Sequence, residues 1–337
     1  MPEYGFFLSC EEYQPADLLR QARLAEQAGF TRLAISDHYH PWTDAQGSSP
    51  FVWSMIGALA QATDLPVTTL VTCPTMRVNP AIVAQAAATS AVLTGGRFRL
   101  GVGTGEALNE HILGEVWPDF RIRAEMLQEA VQVIRKLFSG RAVFHEGEHY
   151  LVRDAKLYTL PPEPPPIYVS AFGPKAAEMA GRIGDGLITM KPNRRTIDIF
   201  RGAGGAGKPV IGGLKACVDS DRQRAVETAR RLWATEVLPG ELGRVLPSMS
   251  HFEQASSLVG DEAVAKEFPC GDDPEVHLEK LDAYEKAGFD EIYIGSVGPR
   301  YEDFFEFYAD RILPRAGAAA VAADSRIRGR MRVPAAR

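Results

Sequence analysis

The run Val67-Thr68-Thr69-Leu70-Val71-Thr72, the stretch from Pro80 to Leu93 and the run Phe98-Arg99-Leu100-Gly101-Val102 together decide how this chain folds. The outer two are short and rich in β-branched or bulky residues, which suits strands. The middle one is too long for a strand, and its opening proline suits the first turn of a helix. Strand, helix and strand in close succession form a crossover unit, and only parallel neighbours need one.

Worked outward, the unit repeats along the chain. Before it come strands at Tyr4–Leu8 and Arg32–Ser36, with helices at Pro15–Gly29 and Phe51–Thr63. The first helix carries Leu18, Leu19, Ala22, Ala25 and Ala28 on one face and stops at Gly29, as a helix terminating in a left-handed residue does. After the unit, strands fall at Ile167–Ala171, Gly186–Thr189, Val210–Val218 and Glu291–Gly295. Helices fall at Ile122–Phe138, Pro174–Ile183, Arg222–Trp233, Glu275–Ala287 and Glu302–Ile312. Eight strands alternating with helices imply a closed parallel (β/α)8 TIM barrel rather than an open sheet. One barrel domain covers residues 1–315, with insertions after strands 4 and 7. The first insertion contains a hairpin at Ala142–Val152 and the Pro-rich Leu160–Pro166, which cannot be a central strand. The second, Leu238–Pro269, is helical around His251–Leu258. The tail Ala316–Arg337 is rich in Ala and Arg without apolar periodicity, which reads as disorder.

The 337 residues are 45% hydrophobic, enough for a large core, and carry a net charge of −6. That balance gives no electrostatic reason to expect nucleic acid. The start Met-Pro-Glu-Tyr-Gly has no signal-peptide pattern, and no apolar run is long enough to cross a bilayer. Cys10, Cys73, Cys217 and Cys270 are scattered, with no C-x-x-C pair, as expected of reduced thiols in a cytoplasmic protein.

Three motifs are weaker than their letters. His145-Glu146-Gly147-Glu148-His149 spells the zinc signature H-E-x-x-H, which works only on a helix; here the flanks are β-prone and the centre is glycine. No metal site is expected from it. Gly202 to Lys208 imitates a P-loop, but Pro209 replaces the magnesium-binding hydroxyl and the segment precedes a strand instead of following one. Gly101-Val102-Gly103-Thr104-Gly105 lacks the dinucleotide-binding spacing, and its informative property is its place at a strand end.

Catalytic groups of a barrel sit on the loops after its strand ends. Those positions hold Ser9 and Glu11; Asp37, His38 and Trp42; Cys73; Thr104, Gly105, Glu106 and Asn109; Ser170, Ala171, Phe172 and Gly173; and Thr189 and Lys191. Histidine is the usual proton-transfer group near neutral pH. Tryptophan covers flat rings or charged intermediates. Single histidines at strand ends are often structural, but His38, Trp42, Glu106 and Asn109 converge on one mouth, which points to chemistry.

The strings Ser36-Asp37-His38-Tyr39-His40-Pro41-Trp42, Cys73-Pro74-Thr75, Gly101 through Glu110 and Gly184-Asp185-Gly186 resemble the deazaflavin-dependent glucose-6-phosphate dehydrogenase family, of the luciferase-like superfamily, from about Gly5 to Arg315. The resemblance implies hydride transfer to or from coenzyme F420. It makes His38 the base on the substrate hydroxyl, Trp42 a stabiliser of the reacting centre and Glu106 the proton partner of the deazaflavin. It makes Asp37, Cys73, Thr104, Gly105, Asn109 and Ser170 through Gly173 the cofactor lining. It places a non-proline cis peptide at Leu70-Val71, propping the ring. Glu11, Thr189 and Lys191 are the substrate-side positions, and a homodimer is implied.

The sequence departs from that family where phosphate is bound. Met190-Lys191-Pro192-Asn193 replaces a T-S-G-K segment, and Glu267 falls near a position expected to be cationic. A carboxylate there repels a phosphate dianion by about 1–4 kcal/mol at 4 Å, so a neutral alcohol or another sugar phosphate competes with glucose-6-phosphate as substrate. The alternatives are an FMN-dependent monooxygenase on the same barrel and a barrel that only binds; the intact His38 and Glu106 argue against the latter.

Overall fold

A computed structural model describes residues 1–316; most of the tail read above as disordered lies outside them. Ala316, read above as the start of the disordered tail, is helical and buried.

The eight barrel strands are β1 (Glu3–Leu8), β2 (Arg32–Ile35), β3 (Val67–Thr69), β4 (Phe98–Val102), β7 (Ile167–Ser170), β8 (Gly186–Ile188), β9 (Val210–Ala216) and β10 (Glu291–Ser296), with a separate hairpin of β5 (Val143–Glu146) and β6 (Leu151–Ala155). The barrel closes in the order β1-β10-β9-β8-β7-β4-β3-β2, every pair parallel. This is the (β/α)8 architecture that the alternation implies, and the insertions follow the fourth and seventh barrel strands as expected.

The helices form where their ends are signalled. Pro15–Ala28 opens on proline and closes on Gly29 at φ 98°, a conformation that glycine adopts without a Cβ clash. Pro80–Leu93 begins at Asn79, whose side chain accepts a hydrogen bond from Ala81 N at 2.9 Å, a cap worth about 1 kcal/mol. The fifth helix starts at Phe120, two residues before the apolar pattern shows it, because Asp119 caps it. Short helices at Ala107–Glu110 and Arg194–Phe200 had no periodic signature.

Inside the barrel, layers stack along the axis. Arg99 donates two hydrogen bonds to Glu291, at 2.7 and 2.6 Å, and one to Tyr293 Oη at 2.8 Å; Arg32 approaches Glu291 at 3.2 Å. Above them Phe7, Ala34, Tyr168, Ile188, Ile211 and Tyr293 fill the interior, with Leu70 and Val71 packed on top. The chain ends are tied by aromatic packing of Phe6 and Phe30 against Phe304, Phe305 and Tyr308, with ring centroids 4.7–6.4 Å apart. Such pairs add about 0.5–1.5 kcal/mol each beyond area burial.

His145-Glu146-Gly147-Glu148-His149 lies on the hairpin. His145 Nε2 stands 2.9 Å from Glu129, and the backbone of His149 donates to the same carboxylate. The histidines serve a turn, not a helix.

His277 is fully buried, with Nδ1 2.9 Å from Tyr308 Oη and Nε2 3.1 Å from Gly271 O. Burial pushes its pKa down to about 4, against the pull of the Gly271 carbonyl. A depressed folded pKa gives stability that is present above the unfolded value and lost as pH falls through the folded one. Thermal melts should therefore drop by about 2–3 kcal/mol between pH 6.5 and 4 relative to a His277→Gln variant; parallel curves for the two proteins would contradict this.

Candidate active site

All the candidate loops open on one end of the barrel, because every parallel strand delivers its C-terminus there. β2 ends at Ile35 and the chain runs directly into Ser36, Asp37 and His38. The His38 ring is held from three sides. Its Nδ1 lies 3.3 Å from Glu11 Oε1, close enough for charge but off the hydrogen-bond axis, and its Nε2 lies 3.7 Å from Glu106 Oε1. Its edge meets Trp42 with ring centroids 4.9 Å apart and planes at 70°. Ser36 Oγ donates to Glu11 Oε2 at 2.7 Å and accepts from Cys10 N, so the β1 and β2 loops fix the carboxylate between them.

Asn109 organises the other side. Its Oδ1 accepts from the backbone N–H groups of Tyr39 and His40, both at 2.7 Å, and its Nδ2 donates to Glu106 Oε1 at 2.7 Å. One fully buried amide thus sets the path of the His38 loop and the orientation of Glu106 together.

Beneath lies a polar group that sequence reasoning missed. Arg77, on the segment after β3, donates to Asp37 Oδ1 at 2.9 Å, while its backbone N–H and Nε donate to Glu110 at 3.0 and 3.4 Å. Thr72 Oγ1 donates to Asp37 Oδ2 at 2.7 Å. Two buried carboxylates share one guanidinium, and burial pushes the Glu110 pKa up to about 7 against the pull of Arg77. A buried Lys215 was also missed. It lies near the end of β9, pairs with Glu236 and sits 3.7 Å from the Trp233 ring centroid and 4.9 Å from that of Phe7. A lysine within an otherwise apolar strand was the available signal.

The mouth has a floor suited to a flat ring. β3 ends at Thr69, the Leu70-Val71 peptide is cis as the resemblance implies, and pairing resumes at Thr72. A Cβ on Gly103 would meet Val71 Cγ2 at 2.8 Å, and one on Gly105 would meet Glu110 Cγ at 2.8 Å and Cys73 Sγ at 3.4 Å, whereas Gly173 faces open space. Glycines thus let the β4 loop lie close against Val71 and Cys73. Ser9 Oγ and Thr75 Oγ1, on the segments after β1 and β3, are buried without hydrogen-bond partners among the described residues. Thr104, Gly105, Ser170 and Gly173 are part-exposed around the floor, Ala171 is buried and Phe172 is 48% exposed.

The substrate-side positions divide. Glu11 is nearly inaccessible and belongs with His38. Thr189 is buried below the rim. Lys191 reaches the surface and is ion-paired with Glu267. Trp42 is packed by the late insertion, with Phe252 5.1 Å away, on a second small core of Trp233, Val264 and Phe268.

Residues 3–291 match the family model of luciferase-like monooxygenases. An F420-dependent glucose-6-phosphate dehydrogenase of Beutenbergia cavernae is 35% identical over 328 residues, covering 94% of this chain and 97% of that protein. A solved F420-dependent secondary alcohol dehydrogenase, in complex with an F420-acetone adduct, is 33% identical with a TM-score of 0.87, covering 93% and 98% of the two chains. The coenzyme F420-dependent tetrahydromethanopterin reductase of Methanopyrus kandleri, at 22% identity and TM-score 0.75, shares the fold.

Proposed function

The chain belongs to the luciferase-like monooxygenase family, in its F420-dependent glucose-6-phosphate dehydrogenase-like branch, and from that premise we propose that it moves a hydride between F420 and the carbinol carbon of a neutral secondary alcohol, with His38 as base. It is an F420-dependent oxidoreductase acting on CH–OH groups. The observation that carries the catalytic reading is His38 held between Glu11 and Glu106 with Trp42 on its edge.

F420, when bound, supplies the two-electron hydride carrier. Leu70, Val71, Cys73, Gly103, Gly105 and the Ser170–Gly173 turn are the residues that would hold its ring. His38 takes the hydroxyl proton as the substrate carbon loses hydride, a role worth about 10²–10⁴-fold. An imidazolium formed on His38 lies between two carboxylates, which attract its charge. Glu106, oriented by Asn109, holds or releases the proton on the cofactor side. Trp42 covers the reacting carbon and excludes water.

Charge supports the neutral substrate. Lys191 and Lys215 are each matched by a glutamate, Glu267 and Glu236. Trp233 lies under Lys215, and Trp42 with Phe252 packs on the same small core. A phosphate dianion would have to displace those carboxylates, whereas an uncharged alcohol meets apolar walls.

We also place the enzyme in the cytoplasm as a homodimer. All four cysteines are unpaired. No described helix is long and apolar enough to cross a membrane. On the outer face of helix Pro80–Leu93, beside Gln85 and Thr89, Ile82, Val92 and Leu93, with nearby Phe51, are 42–57% exposed; a largely apolar outer face of this kind suits a second copy.

A fluorescence titration with oxidised F420, with FMN in parallel, tests the cofactor; F420 reduction by secondary alcohols and by glucose-6-phosphate then tests the substrate. Saturable F420 binding with faster turnover of the neutral alcohols is expected. Preference for FMN would move the chain to the flavin monooxygenases, and faster turnover of the sugar phosphate would overturn the neutral-substrate reading.

A further inference from the structure

Gly105 and Phe172 stand at the β4 and β7 ends of the mouth, and two arginines meet beside them. Arg123, on the helix Phe120–Leu137, donates from Nη1 to Gly105 O at 3.1 Å, and its guanidinium lies 4.3 Å from the Trp117 ring centroid. The residue is only 5% exposed, and its Nε is buried without a hydrogen-bond partner; so is Trp117 Nε1. Arg244 arrives from the late insertion, on the turn Leu242–Val245 that packs against Ala107–Glu110, and its guanidinium lies 5.1 Å from the Phe172 ring centroid.

Burial, and then the charge of Arg244, depress the pKa of Arg123, and Glu241 offsets part of this. No ion pair holds Arg123 or Arg244 among the described residues, in contrast to Arg77, Lys191 and Lys215. Beyond the Gly105 carbonyl and the nearby Glu241, the cluster gathers like charge and N–H donors that no ion pair occupies. Two planar guanidiniums with unused N–H groups are the arrangement that best matches the oxygens of a phosphate or carboxylate.

We propose that Arg123 and Arg244 form a cationic clamp for the phosphodiester and carboxylates of the F420 tail, closing the late insertion onto the cofactor. The inference rests on the F420 reading above. Arg123 fixes the Gly105 loop that flanks the ring, and Arg244 brings the insertion to the same place, so the tail binds where the mouth has unneutralised positive charge. On the lysine side that charge is cancelled. The cofactor is thus selected partly by charge and the substrate by the lack of it.

The test is equilibrium binding by fluorescence, using F420 and the bare deazaflavin alcohol that ends at its ribityl chain. Arg244→Gln should weaken F420 binding on the order of tenfold and leave the tail-less compound unchanged. Arg244→Lys should lie between, and raised salt should weaken F420 binding by the wild type more than by Arg244→Gln. Equal weakening for both compounds, or none for F420, would overturn the clamp while leaving the cofactor assignment intact. Failure of the wild type to bind F420 at all would remove the cofactor reading and the clamp with it.

Discussion

Replacing His38 by alanine is expected to lower kcat for alcohol oxidation by about a thousandfold while F420 affinity stays within about twofold. The imidazole lies between Glu11 and Glu106, 3.3 and 3.7 Å away, and against the Trp42 edge. It contributes little to the ring floor, which is built from Val71, Cys73 and the β4 glycines. The backbone of its loop is held independently: Asn109 takes the N–H groups of Tyr39 and His40, and Ser49 donates to His38 O at 2.7 Å. The variant therefore keeps the loop and loses the proton acceptor. Because the lost interaction forms as the proton moves, kcat and kcat/KM should fall together. A His38→Ala enzyme with near-normal turnover would remove the base assignment. A parallel loss of F420 binding would make His38 a cofactor-positioning residue instead.

The second large effect is on folding. Arg77→Met should destabilise the protein by about 3–5 kcal/mol, because it strands two buried carboxylates. Asp37 would keep only Thr72, and Glu110 would keep one backbone N–H. Both side chains are about 1% exposed, so water cannot replace the guanidinium. A double variant, Arg77→Met with Glu110→Gln, should recover part of the loss, and a cycle with Glu110→Gln alone measures the coupling. The deficit has a definite pH dependence. The Glu110 pKa is already raised to about 7 with Arg77 present, and removing the cation raises it further. A carboxyl whose folded pKa is raised contributes stability that is fullest below its unfolded value and lost as pH rises through the folded one. Arg77→Met should therefore melt closest to the wild type near pH 5 and furthest from it near pH 8. A deficit that grows towards acid would contradict the shared-cation account.

The barrel was legible because its signals are local and repeated. Pro80 and Gly29 mark helix ends by backbone chemistry alone, and the β-branched runs between helices leave few alternatives to parallel strands. The hairpin at His145–His149 was legible for the same reason, since a glycine between β-prone flanks disfavours the helix that zinc would need. His38, Trp42, Glu106 and Asn109 were found because parallel strands must deliver their C-terminal loops to one face. The short helices Ala107–Glu110 and Arg194–Phe200 left too few residues for a period to show.

What the chain by itself determined, then, is the eightfold alternation, the face on which its polar loops collect and the strings that resemble the deazaflavin enzymes. Only the tertiary structure decided which charges are used and which are cancelled. Arg77, Asp37 and Glu110 follow three different strands, Lys191 meets Glu267 across 76 positions, and Arg123 on the Phe120–Leu137 helix feels the charge of Arg244 on the late insertion. A side chain's net electrostatic role depends on partners within a few ångströms and on the water excluded around them. Neither is encoded by neighbours in sequence, so whether a lysine such as Lys191 stands free or folds into an ion pair is decided only in three dimensions.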